Sequence, residues 1–427
     1  MRNSPLGLLL LCSLAALSTG CKEYFSVDEA CHPEGNFRGR DVGSPAEASV
    51  VDRMNCYRRL TKLERYGVEK RLYESAAGHV NYMVQNPDVY STDGELAYLR
   101  QSTIRPGFTG TDVYERMDAA DYQLYGVNGN YVIQVVGIIA DSTGAANPGF
   151  IEENFATVGS SDPGDLIDYI MRLHWLQESV LAPSVYDVAY VERPLDAAWW
   201  EAAAEAGNWA AFFEGDNDYN LPVSGKAIYY VVVAEGLPYE HSTEPITYPK
   251  DGQTGSALTY PNPVYKPAIN GDLEEYTFSA PVYISYISPS GGAAATTTGA
   301  SVVAASANPF DMTIQNASIT GPSGPLDVAI YNFTADDSTD EYIGPPVGSL
   351  LLGAGVYATT PFQPNTPYTV YMDLTTSDGP QSYNWSFTTG AGDTNATTAA
   401  RSQGPDGVGP LKSKIGGFRA HKQLVKP

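Results

Sequence analysis

His174, in the stretch DLIDYIMRLHWLQESVLAPSVYDVAYV (165–191), is one of five histidines in the chain. An imidazole can move a proton at neutral pH or ligate zinc, but zinc needs three or four ligands and one imidazole cannot hold it alone. Ile170 and Met171 lie one turn before His174, so the residues themselves favour a partly buried helical histidine. His79 sits one turn after Ser75 and seven residues after Leu72, beside an apolar stripe, where helix packing with one ring nitrogen bonded is expected. His32 and His241 fall in polar stretches and are expected at the surface. The sequence contains no Gly-x-Ser-x-Gly elbow, His-Glu-x-x-His helix or Walker loop. The acidic run Asp336-Asp337-Ser338-Thr339-Asp340-Glu341 does not match a twelve-residue calcium loop and reads as a solvated face.

The elements that would carry these residues follow from periodicity. Helices are expected over Asp52–Leu63 and Glu69–Val84, the second with the stripe Leu72, Ala76, Val80 and Met83. Thr111 can cap a short helix, and Tyr131–Ile139 is a β-rich run. Asp162 as cap, Pro163 at the first helical position and Asp165 in the first turn predict one helix running to Leu181. Tyr186–Val191 and Ala227–Val233 read as strands, with an Ala- and Trp-rich helix or lid over Trp199–Phe213 between them. Helices alternating with strands through long loops indicate an α+β fold. After His241 only short runs rich in Val, Ile, Tyr, Phe and Thr remain, separated by Gly and Pro turns, which predicts an all-β sandwich over 262–390.

The first twenty residues read as an export signal: Arg2, then a short apolar run from Leu6 to Leu17, too short to span a membrane. Ser18-Thr19-Gly20-Cys21 resembles a bacterial lipobox, although its usual apolar residue three places before the cysteine is Ser18 here. The resemblance implies acylation of Cys21, and neither Lys22 nor Glu23 is the aspartate associated with inner-membrane retention. An outer-membrane or surface lipoprotein is therefore expected, with plain secretion as the alternative. Export permits a disulfide between the two remaining cysteines, Cys31 and Cys56. The net charge is −24, and residues 401–427 hold six Lys or Arg against one acid, leaving 19 basic against 48 acidic residues before them. Such a chain repels nucleic acid and anionic lipid surfaces.

Four short segments, in order, resemble the CAP superfamily (cysteine-rich secretory or pathogenesis-related-1-like domains). They are Asn55-x-x-Arg58; Ala76-x-x-His79 with Tyr82 and Met83; Pro106-Gly107-Phe108-Thr109-Gly110 with Tyr114, Arg116, Ala119, Ala120 and Tyr122; and His174 ahead of Leu181-x-Pro183. The resemblance covers roughly 49–235 and implies an α-β-α sandwich whose central cleft holds two histidines and two acids, in some members with a divalent metal. Asp121 stands where the family has glycine, and Trp175 where it has arginine. Where the cleft histidine is expected the chain has Leu99, Arg100 and Gln101, and arginine cannot ligate metal. The expected glutamate is absent from Tyr131–Ala140, which leaves Glu152 and Glu153 as later candidates. The implied cleft is thus His174, Glu152, Glu153 and Arg100, with no metal and no cofactor expected. Pro364-x-Thr366-Pro367-Tyr368-Thr369-Val370 and Trp385-x-Phe387-Thr388-Thr389 resemble the closing strands of bacterial Ig-like modules.

The expected organisation is a signal peptide (1–20), a tether (21–48), a CAP-like domain (49–245), a linker (246–261), an Ig-like sandwich (262–390) and a disordered tail (391–427). The leading functional expectation is a lipid-anchored envelope protein with a non-catalytic binding or scaffold domain, the Ig-like module acting as a spacer. Its partners would be outer-membrane lipid through the anchor and a lipid, peptide or envelope-protein ligand, with no nucleic acid. Trp199, Trp200, Trp209, Phe212 and Phe213 are the candidates for a hydrophobic groove, or for a lid packed permanently on the domain. A metal-dependent hydrolase or protease is the alternative.

Overall fold

The computed structural model describes residues 23–31, 38–39, 42–89, 99–123, 131–141, 156–158, 163–182, 185–205, 224–234, 245–259, 278–285, 312–331, 353–376, 378–392 and 416–425. Its helices are α1 (Val27–Ala30), α2 (Pro45–Leu60), α3 (Lys70–Gln85), α4 (Val113–Ala119), α5 (Asp165–Ile170), α6 (His174–Leu181) and α7 (Ala197–Glu205). The strands of its first part are β1 (Arg38–Gly39), β2 (Gly67–Val68), β3 (Tyr131–Asp141), β4 (Ala156–Val158), β5 (Val185–Asp196) and β6 (Ser224–Ala234). Then follow β7 (Ile246–Tyr248), β8 (Gln253–Ser256), β9 (Val282–Ser285), β10 (Met312–Gly321), β11 (Gly324–Leu326), β12 (Val328–Tyr331), β13 (Ala354–Ala358), β14 (Pro367–Thr376), β15 (Gly379–Thr389) and β16 (Gly416–Val425).

Together these make a mixed α+β fold. A seven-stranded sheet in the order β1-β2-β5-β6-β3-β16-β4 has apolar side chains buried on both faces. Alternate residues of β6 divide between them: Ile228, Tyr230 and Val232 join the core beneath α2, α5 and α6, while Tyr229, Val231 and Val233 join the core beneath α3, α4 and α7. This alternation makes both faces of the central strands apolar, as a sheet covered on both sides requires.

Local chemistry sets the helix ends. The Ser44 side chain accepts from the Glu47 amide and Glu47 Oε2 accepts from Gly43 N (2.6 Å), with Pro45 in the first turn. This reciprocal cap starts α2 at Pro45, inside the stretch expected to be a tether, and a left-handed Lys62 (φ 62°) follows its end at Leu60. For α4 the cap is Asp112 rather than Thr111; its side chain accepts from Glu115 N (3.0 Å).

The single helix expected from Pro163 to Leu181 is two helices, α5 and α6. Met171 O, which a continuous helix would use internally, accepts instead from the buried Gln177 Nε2 (2.6 Å). Arg172 leaves the same break to donate to Thr259 O (3.2 Å) and Thr259 Oγ1 (3.0 Å).

Two further expectations are corrected. The expected linker 246–261 is built into the sheets that follow: β7 pairs with β9, β8 pairs with β15, and Trp385 Nε1 donates to Pro249 O (2.9 Å). Likewise, the tail expected to lack structure carries β16, which pairs with β3 over ten residues. β3 offers a continuous ladder on its free side, and Gly416–Val425 has no proline to interrupt a partner strand.

In the later part of the chain the sheets β11-β10-β14-β15-β8 and β12-β13-β9-β7 face one another. Their shared core includes Ile319, Val370, Met372, Leu374, Trp385 and Phe387 from the first sheet and Val282, Ile284 and Val356 from the second. The strict exposed–buried alternation of β14 is what a sheet with one wet face requires. This part does not hang free, because Tyr248, Phe278, Tyr283 and Tyr357 belong to the same core as Tyr57 and Leu173. The rings of Tyr57 and Tyr248 meet edge to face at 5.7 Å.

Candidate functional site

Among the described residues, one concentration of buried polar side chains lies between α3, α4, the 99–112 loop and the sheet. His79, on α3, is fully buried, its ring edge-on to Tyr229 (4.6 Å) and parallel to Tyr82 (6.5 Å). Gln101 Oε1 accepts from Thr109 N (2.6 Å), which turns its NH2 group toward His79 Nδ1 at 3.2 Å. That orientation makes Nδ1 an acceptor and leaves the ring proton on Nε2.

Arg116, on α4, is buried at the centre. Nη2 donates to Gln134 Oε1 (2.7 Å) and Tyr229 OH (3.4 Å), and Nη1 donates to Leu99 O (3.3 Å). Tyr229 OH in turn donates to Gln134 Oε1 (2.8 Å), and burial raises the pKa of this phenol against the opposing effect of Arg116. A Cβ on Gly110 would fall 2.6 Å from Arg116 N, so the loop can wrap this closely only with glycine there. The guanidinium is therefore held through Nη1 and Nη2 by neutral acceptors, of which Gln134 and Tyr229 also bond each other, while its buried Nε has no hydrogen-bond partner among the described residues. Among the described residues no three His, Cys, Asp or Glu side chains converge on a metal position.

The opposite face carries buried charge differently. Arg53 Nη2 donates to Asp168 Oδ2 (2.8 Å), Tyr57 OH donates to Asp168 Oδ1 (2.9 Å), and Arg53 Nη1 points at Cys31 Sγ (3.1 Å). Burial is the largest single influence and works against the Arg53 charge, but Asp168, Tyr57 and Asp28 together outweigh it and raise the pKa. Cys31 and Cys56 form a disulfide, which fixes α1 to α2. Arg58 Nη1 donates to Val180 O (2.9 Å) and Ala182 O (2.6 Å), and its guanidinium lies over the Tyr66 ring at 4.2 Å. Asn55 exchanges two hydrogen bonds with the Tyr66 backbone. These residues pin α2 to the chain around α6 rather than line a cleft. Glu47 is fully buried, accepts from Gly43 N and Tyr190 N, and burial pushes its pKa from 4.5 to about 7.

The sequence-derived candidates are dispersed. Arg100 is exposed and outside the cluster, because it is its neighbour Gln101 that turns inward. His174 is the first residue of α6, on the other face of the sheet, and its side chain lies outside the described residues. Cys21, Glu152, Glu153, Trp209, Phe212 and Phe213 also lie outside them. Trp199 and Trp200 do not line an open groove: both are buried in the α3–α4–α7 core, with rings edge to face at 5.2 Å. Gln134 and Tyr229, which complete the cluster, carry no charge and no characteristic spacing, so they gave no signal in the sequence, whereas Gln101 stood where the resemblance expects the cleft histidine but was passed over for Arg100. Among the described residues no helix is long and apolar enough to cross a membrane. No protein-family model matches the chain, and no curated protein matches it in sequence.

Proposed function

We propose that the chain is an exported protein of the cell envelope, anchored by an acyl chain on Cys21, whose first part is a CAP-like binding or scaffold domain and whose second part is an Ig-like sandwich. The observation that carries the scaffold part of this reading is that Arg116 and His79 are buried beneath α3 and α4 and held by Gln134, Tyr229 and Gln101 rather than facing an open cleft. Buried polar groups bonded mainly by neighbouring side chains act in packing. The shared core of the two parts also suits a scaffold, because surfaces on both keep a fixed relative position. The partner is an envelope lipid, a peptide or another envelope protein, met at the surface rather than in the cluster.

Membrane fractionation and acyl labelling of the full chain in a bacterial host test the anchor. The wild type is expected in the outer-membrane fraction carrying label, and Cys21→Ala in the soluble envelope fraction without it. Labelled Cys21→Ala chain, or an unlabelled wild type, would refute the anchor. For the non-catalytic reading, the purified chain is expected to hydrolyse no peptide or ester substrate above the blank when zinc, calcium or magnesium is added. Turnover that is lost on His174→Ala would refute it.

A further inference from the structure

Within the stretch expected to be a free tether, Glu23 and the residues that follow are bound to the molecule. Tyr24 and Val27 pack against the core beneath α2. The Cys31–Cys56 disulfide and a hydrogen bond from Arg59 Nη1 to Ala30 O (2.5 Å) hold α1 against α2. The same few residues reach the second part of the chain, where Thr254 N, on β8, donates to Phe25 O (2.6 Å). Glu23 Oε1 lies 3.3 Å from Lys62 Nζ and 3.7 Å from Lys250 Nζ, and Lys250 Nζ stands 5.2 Å from the centre of the Phe25 ring. Residues 23–31 therefore strap the end of α2 to β8, and the point where the strap begins is fixed on the surface.

Cys21 is two residues before Glu23, and two residues of chain span at most about 7 Å. A group attached to Cys21 is thus held beside one corner of the molecule, where α2 ends and β8 begins. Phe25 is 44% exposed there, and the Lys62 side chain 67%. Arg59–Arg65 holds three cations against one acid, Glu64, and Lys250 adds a fourth against Glu23 and Asp251. The chain as a whole, with 49 acids to 25 Lys and Arg, is repelled by an anionic bilayer, but this corner, with its excess of cations, is not. The buried Lys250 Nζ has no hydrogen-bond partner among the described residues, and a phosphate oxygen seated beside Phe25 would complete it.

We infer, on the acylation of Cys21 proposed above, that this corner rests on the lipid headgroups, so that the molecule stands on the membrane in one orientation. Phe25 then enters the apolar edge of the headgroup layer, and Lys62 lies along it with its ammonium beside phosphate.

Amine footprinting of the full chain tests this. The acylated chain on vesicles of phosphatidylethanolamine and phosphatidylglycerol is compared with the soluble Cys21→Ala chain, using a membrane-impermeant acetylating reagent read by mass spectrometry. Lys70 is the reference, because its side chain is 64% exposed, close to that of Lys62, and it starts α3 on the other face of the sheet. Docking predicts that modification of Lys62 slows several-fold on the vesicles while that of Lys70 is unchanged. The same spectra report the acyl group on Cys21. Acylated chain whose Lys62 reacts as fast as in solution, or whose Lys62 and Lys70 slow equally, would overturn the docked corner and leave the anchor standing. Chain on which Cys21 carries no acyl group would overturn both.

Discussion

Two arginines are buried on opposite faces of one sheet and neutralised in different ways. Arg53 has the carboxylate of Asp168, which also accepts from Tyr57 OH, with the exposed Asp28 carboxylate 3.6 Å away and the Cys31 sulfur at 3.1 Å; Arg116 has an amide oxygen, a phenol and a backbone carbonyl. The Asp168 ion pair carries most of the compensation, so losing it leaves the buried guanidinium with only the exposed Asp28 carboxylate nearby. Neutral acceptors spread the compensation, and here they also bond each other, so losing the cation leaves them partly satisfied. The face with the ion pair also carries the disulfide and the contact with the second part of the chain. That face ties the parts of the molecule together, whereas around Arg116 the buried guanidinium is met by neutral groups.

The largest expected effect comes from breaking the ion pair. Asp168→Ala should lower unfolding free energy by about 3–5 kcal/mol in denaturant titrations, and Arg53→Met added to it should recover much of that loss. Removing the disulfide beside it, with Cys31→Ala and Cys56→Ala, frees a loop of 25 residues. The chain-entropy cost of that loop is about 3.5 kcal/mol, seen as a lower denaturation midpoint that reducing agent reproduces in the wild type.

Glu47 should give a pH-dependent effect on the same face. Burial holds its pKa at about 7 against 4.5 unfolded, so its contribution is fully present below pH 4.5 and is lost as pH rises to about 7. Stability of the wild type relative to Glu47→Gln should therefore fall by roughly 3 kcal/mol between pH 4 and pH 8. The smallest effect is expected on the other face. Arg116→Met should cost only about 1–2 kcal/mol, because Tyr229 OH still bonds Gln134 Oε1. A cost above that of Asp168→Ala would erase the contrast between the two faces.

Much of the architecture was legible because burial on both faces imposes periodicity. The stripe Leu72, Ala76, Val80 and Met83 marked α3, and the runs around Val135, Val188 and Val231 marked three central strands. What escaped depends on contacts distant in sequence. The break between α5 and α6 is stabilised by Arg172 reaching Thr259, 87 residues away, and β16 acquires its strand character from β3 rather than from its own composition. The site was less legible for a related reason. Charge and imidazole attract attention in a sequence, whereas an amide such as Gln101 or Gln134 gains importance only when the fold places it against a histidine or an arginine.

A zinc titration of the purified chain by calorimetry, alongside His79→Ala and His174→Ala, tests the central claim most directly. A buried cluster with a packing role predicts no saturable zinc binding tighter than about 100 μM and no difference among the three proteins. Micromolar or tighter binding at one site, abolished by either substitution, would contradict it.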